Sequence, residues 1–149
     1  MNFVKNDGGR EAAGYKGTAG DCVTRAIAIA TEKPYSEVYD ALFHASKEYG
    51  ERHRGRVAKR INTRGGSPRS GQFRVVFQKY LEFLGWKWVP TMLIGSGCKV
   101  HLNEKELPAG RLIVSVSKHL TSVIDGVLND TYDCSRNGMR CVYGYYIKL

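Results

Sequence analysis

The sequence predicts an α+β domain, with helices in its first half and strands in its second. Two observations carry this. Apolar residues recur at helical spacing as far as about Leu84, and from Leu112 onward the period changes to two through several short segments separated by turn signals. Helices followed by an antiparallel meander bury their apolar faces against one another. A third observation bounds the size: 149 residues suit a single domain, 1–149, with a core of its own.

The first helix opens at Cys22 in "AGDCVTRAIAIAT", with Val23, Ala26, Ile27 and Ala30 on one face. "EKPY" is then a turn, because Pro34 disfavours helix at the residue before it. Ser36 is the expected cap of "SEVYDALFHASKEYG", whose face is Val38, Ala41, Leu42 and Ala45 and whose stop is Gly50. A third helix, "GQFRVVFQKYLEFLGW", places Phe73, Phe77, Tyr80, Leu81 and Leu84 at helical spacing. "NEKELPAG" reads as a helical turn capped by Asn103 and ended by Pro108. "RLIVSVS", "HLTSVID", "VLNDTYD" and "CVYGYYIKL" read as strands, giving an expected antiparallel sheet over 112–117, 119–124 and 127–132.

Charge is concentrated in the middle of the chain. The net charge is +9, and between Lys47 and Arg74 nine Lys/Arg face only Glu48 and Glu51. Residues about 52–72 therefore read as an exposed basic loop or lid, with the Gly, Ser and Pro content of a connection in "RINTRGGSPRSG". Arg54, Arg56, Lys59 and Arg60 are its candidate partner-binding residues, for nucleic acid or an acidic protein. The segment lacks the interleaved aromatics that single-strand binders use as stacking platforms.

No apolar run approaches the roughly 18 residues needed to span a bilayer, so no membrane partner is expected. The start, "MNFVKNDGGR", has no signal-peptide stretch. Cys22, Cys98, Cys134 and Cys141 contain no C-x-x-C pair, so free thiols in a reducing cytosol are expected. Cys98, Cys134 and Cys141 read as packing residues. A zinc site from Cys134, Cys141 and His101 lacks the usual ligand spacing, and neither metal nor cofactor is expected.

Asp125-Gly126 is a hairpin signal. A two-residue turn there sets Ile124 against Val127, Thr121 against Asp130 and His119 against Tyr132, so His119, Thr121, Asp130 and Tyr132 share one face. Asp130 can then fix the tautomer of His119. A three-residue loop, Asp125-Gly126-Val127, would bring Asp133 opposite His119 instead, and turn type decides between the two.

A cysteine at a helix start, a distant histidine opening a strand and an Asp on the next strand resemble the order in papain-like cysteine peptidases. "GDCVTRAIAIAT" looks like the Cys-bearing helix start of that superfamily. "LIVSVSKHLTSVIDG" is similar to the strand-turn-strand of bacteriocin-processing-type peptidases, and Asp130-Thr131-Tyr132 stands where papain relatives carry Asn-Ser-Trp. The likeness covers about 13 residues near the start and about 25 near the end. The whole chain also reads like small proteins encoded in phage and prophage genomes. The resemblance implies a papain-like fold, a Cys22–His119–Asp130 triad and a protein or peptide-like substrate. The implied place is the cytoplasm of a bacterial host cell.

The chemistry is coherent. A helix N-terminus and a nearby imidazolium favour the thiolate of Cys22, and backbone N–H groups at that end can stabilise an oxyanion. The side-chain oxyanion donor is open: papain relatives carry Gln about six residues before the cysteine, and Lys16 stands there. Thr18 and Asn6 are the other candidates. The expected activity is thus a peptidase, deamidase or amidase. The alternative is a basic binding module, including a pseudo-enzyme that keeps the fold.

Overall fold

Strand pairing, more than helix placement, is where the chain departs from the expected plan. A computed structural model describes residues 1–16 and 20–149. In order, it contains β1 (Phe3–Lys5), α1 (Cys22–Thr31), α2 (Tyr35–Arg52), α3 (Arg56–Arg64), a 3-10 turn (Pro68–Ser70) and α4 (Arg74–Phe83). β2 (Trp86–Pro90), β3 (Arg111–Val116), β4 (His119–Ile124), β5 (Val127–Asp130) and β6 (Val142–Lys148) follow. The helices pack on a sheet of order β1-β5-β4-β3-β6-β2, which makes the domain α+β.

β3, β4 and β5 form the expected meander. Val116 pairs with His119 across Ser117-Lys118, and Ile124 pairs with Val127 across Asp125-Gly126. Asp125 and Gly126 both have positive φ, 47° and 79°. That is the type I′ geometry whose twist matches a two-residue hairpin. β6 then crosses back to pair with the other edge of β3, with β2 outside it. β1 pairs with β5 in parallel. The sheet is therefore mixed, which corrects the purely antiparallel expectation, and β5 stops at Asp130.

α1 sits in the core on the helix side of the sheet. Val23 through Ala30 are all buried, and Ile27 packs with Ile113, Leu120 and Tyr146. Burying each such side chain stabilises by about 1.5–3 kcal/mol. The opposite face of the sheet buries Leu112, Val114, Val123 and Leu128 under Leu102 and Leu107. Arg111 of β3 caps the end of α1: its Nε donates to Ala30 O (2.8 Å) and Nη2 to Ile29 O (2.6 Å). A cation there also complements the helix dipole. Because α1 is pinned at the start of β3, its other end, with Cys22, points toward the start of β4.

Two helix expectations are corrected. α2 begins at Tyr35 after Pro34, without a cap from Ser36, because Tyr35 is needed in the core. Gly50 does not stop α2, which continues to Arg52. Instead Gly50 is the point where α3 comes closest: Asn62 Nδ2 donates to Gly50 O (2.9 Å), and a Cβ there would meet Asn62 Oδ1 and Ile61.

The basic segment is likewise not a loose lid. It folds as α3, with Ala58 and Ile61 buried, and Gln72 then ties the following turn by bonds to Ser46 and Gly66. Arg54, Arg56, Lys59 and Arg60 are exposed on it. The thiol expectation also changes, since Cys98 and Cys141 form a disulfide and Cys22 and Cys134 are free. The partners are 43 residues apart and meet because His101 and Cys141 form an isolated bridge, a pairing no local spacing announces. No helix among the described residues is long and apolar enough to cross a membrane.

Candidate active site

Cys22 is the first residue of α1, so its backbone N–H lies among the helix-start donors that have no intrahelical acceptor. Asp21 precedes it in the N-cap position but does not cap the helix with its side chain. The Asp21 carboxylate is buried; it forms an ion pair with Arg10, whose Nε lies 2.9 Å from Oδ2, and accepts from Arg25 and the Tyr35 hydroxyl (2.5 Å). Burial and Asp21 together keep Tyr35 protonated, well above the usual phenol range. Two guanidiniums on one carboxylate leave net positive charge beside the thiol.

The meander supplies the rest. His119 opens β4, and alternation along the hairpin sets His119, Thr121 and Asp130 on one face. His119 Nε2 lies 2.7 Å from Asp130 Oδ2, with the two side chains 8% and 4% exposed. Asp130 Oδ2 also accepts from the Thr121 hydroxyl (2.6 Å), and Oδ1 accepts from Thr131 N (2.7 Å). The Tyr132 ring lies 5.4 Å from the imidazole, centroid to centroid. These contacts leave Nδ1 as the histidine nitrogen not engaged by Asp130. At the start of β4 the His119 imidazole and the Leu120 backbone act on the Cys22 thiol.

The electrostatics follow from this packing. Burial pushes the Cys22 thiol up, but the His119 contact, the Leu120 backbone and the charges of His119 and Arg25 together outweigh it and hold the thiol below its ordinary value. Burial opposes the charge on His119, yet the bond to Asp130 and the sulfurs of Cys134 and Cys22 raise its affinity for a proton far above the usual imidazole range. Asp130 is pushed up by burial and more than compensated by His119 and Thr121, so it stays ionised below the usual carboxylate range. The arrangement therefore favours a thiolate beside an imidazolium that is held by a carboxylate.

The other candidates are placed as follows. Asp133 accepts from Ser135 N (2.9 Å) and Ser135 Oγ (2.6 Å) and so closes its own turn, away from the imidazole. Asn6 donates to Asn129 (3.2 Å) and accepts from Gly8 N (2.9 Å), which commits it to the β1–β5 edge. Lys16 is exposed, with its carbonyl held by Arg10 (3.1 Å). Thr18 lies outside the described residues.

Two features were not read from the sequence. Cys134, expected as a packing residue, is buried with Sγ 3.6 Å from Asp130 Oδ2. The Arg10–Asp21–Arg25–Tyr35 cluster was the other, although Asp21 and Arg25 stand at the i,i+4 spacing of a helical ion pair. Donor atoms of His119, Asp130 and Cys134 lie within 4.8 Å of one another. The 2.7 Å His119–Asp130 separation is a hydrogen bond, shorter than the roughly 3.3 Å between N and O ligands on a tetrahedral ion with bonds near 2.0–2.1 Å. A shared proton fits that pair; a metal would have to part it.

No protein-family model matches the chain, and no curated protein or solved structure matches it significantly.

Proposed function

We propose that the protein is a papain-like thiol hydrolase or acyl-transfer enzyme acting on an amide, isopeptide or thioester carbonyl. The observation that carries this reading is the His119 imidazole, bonded to buried Asp130 and set against a thiol at a helix N-terminus. In this mechanism the Cys22 thiolate attacks the carbonyl carbon, and helix-start N–H groups, including that of Cys22, receive the developing oxyanion. The His119 imidazolium gives its proton to the departing amine or thiolate, leaving a thioester on Cys22. Water then attacks the thioester while His119 takes its proton, and the acid is released with the thiolate restored. Asp130 keeps the imidazole in one orientation throughout.

Exposure to p-nitrophenyl acetate with mass analysis tests it. An acetyl group on Cys22 that later hydrolyses supports the reading. A chain acetylated equally in its Cys22→Ser form ends it.

A second reading is favoured by α3. Arg56 and Lys59 stand in its first two turns with no acidic residue in the first, opposite to what the helix dipole prefers. Charge placed against local stability suits a surface that receives an acidic partner, as either a substrate-selecting face or a binding module without catalysis.

A further inference from the structure

A second cluster of soft donors lies on the surface around the Cys98–Cys141 bond. His101 and Cys141 face each other in an antiparallel bridge flanked by Val142 N to Val100 O and Leu102 N to Arg140 O, both 2.8 Å. This is the non-hydrogen-bonded kind of pair, whose side chains stand closest. His101 Nε2 is 3.7 Å from Cys98 Sγ, and Met92 Sδ is 3.6 Å from Cys141 Sγ. Thr91 fastens the Met92 end by bonds to Tyr143 O (3.0 Å) and Val142 O (2.8 Å).

The imidazole is oriented as metal-binding histidines are. Its Nδ1 lies 3.1 Å from Glu106 Oε1. A carboxylate can only accept, so Nδ1 carries the proton and the Nε2 lone pair is turned to the sulfur. Glu106 is itself held by Asn103, whose Nδ2 donates to Oε2 (2.5 Å) and whose Oδ1 caps the turn at Lys105 and Glu106. A carboxylate behind a ligating imidazole fixes its tautomer and raises its basicity.

We propose that reduction of the Cys98–Cys141 bond opens a soft-metal site made of Cys98, Cys141, His101 and Met92, suited to Cu⁺. Adjacent ligand atoms around one tetrahedral ion are about 3.5–3.8 Å apart for bonds near 2.0–2.3 Å. The His101–Cys98 and Met92–Cys141 separations already have that size. Two thiolates and an imidazole would serve zinc as well, but the thioether is a soft donor that selects monovalent copper. A dithiol reductant would supply two electrons and two protons to the bond and become a disulfide itself. The two thiols formed then release their protons as they bind the ion. While the disulfide stands, both sulfurs are unavailable, so the site is loaded only in the reduced protein. None of the four side chains belongs to the Cys22 site, and metal binding is read independently of it.

The test uses the full chain carrying Cys22→Ser and Cys134→Ser, so that the pair in question holds the remaining thiols. A phosphine reduces it, taking oxygen from water to become the phosphine oxide, and Cu⁺ is then delivered anaerobically from its bicinchoninate complex. One Cu⁺ per reduced chain is expected, and none for the oxidised chain. Glu106→Gln should weaken binding about 10- to 100-fold, the usual effect of removing such a supporting carboxylate. Met92→Leu, nearly volume-conserving, should weaken Cu⁺ while leaving Zn²⁺ unchanged. The same two substitutions are made in the otherwise unaltered chain, where they must weaken one copper-binding step. Equal uptake by the oxidised protein, or affinity untouched by His101→Ala and Met92→Leu, overturns the proposal.

Discussion

Asp130 Oδ2 stands 2.7 Å from His119 Nε2 while also accepting the Thr121 hydroxyl at 2.6 Å, so one buried oxygen holds both residues of the β4 face. Its partner oxygen is occupied by Thr131 N at 2.7 Å. The carboxylate is therefore fixed in rotamer and charge, and through it the imidazole is fixed against Cys22. Asp133 bonds to Ser135 and does nothing comparable.

Replacing Asp130 should consequently disarm the thiol. In Asp130→Ala the imidazolium loses its stabilising charge, and the Cys22 thiol rises toward its ordinary value. Each unit of that rise lowers the thiolate fraction about tenfold below the pKa. Alkylation by iodoacetamide near neutral pH should slow with it, while Asp133→Ala should react like the unaltered chain. The reverse pattern would move the orienting role to Asp133.

The same pair predicts how stability varies with pH. His119 binds its proton more tightly folded than unfolded, so its contribution is complete below the unfolded value near 6.5 and fades as pH rises toward the folded value. Asp130 is shifted the other way, so its contribution is complete above 3.8 and fades as pH falls through the folded value. Both are whole only between about pH 4 and 6.5. In a Cys22→Ala background, where no thiol titrates beside the imidazole, the stability difference made by His119→Gln, from denaturant midpoints, should be largest there and shrink on both sides. A difference that keeps growing above pH 8 would contradict the ion pair.

Asp21 should matter more to folding than to chemistry. Asp21→Asn leaves the guanidiniums of Arg10 and Arg25 buried without their carboxylate. Breaking a buried ion pair from one side costs about 3–5 kcal/mol, and urea unfolding should show a loss of that order. A loss under about 1 kcal/mol, the range of exposed pairs, would mean that water reaches the cluster.

Much of the site was legible because its signals are local. Asp125-Gly126 dictates a two-residue turn, the turn dictates register, and register sets His119, Thr121 and Asp130 on one face. The parts that were missed depend on distant partners. β1 is three exposed residues with no alternation, and it becomes a strand only by parallel pairing with β5. Of β2, the helical pattern in the sequence reaches only Trp86, as the end of the preceding helix, and "KWVP" carries no strand signal of its own. Trp88 shows its true role, packing on Tyr146 at 4.8 Å under the Arg74 guanidinium. The helix at 56–64 was hidden by the Gly and Ser residues after it, because Ala58 and Ile61 are its only buried residues.

That helix provides a separation of binding from stability. Arg54, Arg56, Lys59 and Arg60 are exposed, whereas Ile61 is 5% exposed against α2. Ile61→Ala should cost about 2–5 kcal/mol, as for other buried aliphatics. Serine at the four basic positions should cost about 0.5 kcal/mol or less at each, as at ordinary surface sites. Arg56→Glu should even stabilise α3 by about 0.3–1 kcal/mol, because it puts an anion at the positive end of the helix dipole. If the face receives nucleic acid, each lost phosphate contact removes about 0.7 from the slope of log K against log salt for a single strand. The four-serine chain should then lose affinity for a single-stranded oligonucleotide and most of its salt dependence, with a melting temperature near that of the parent. A parent chain that does not bind the oligonucleotide would remove nucleic acid as the partner. A four-serine chain as unstable as Ile61→Ala would show that the charges hold the fold together.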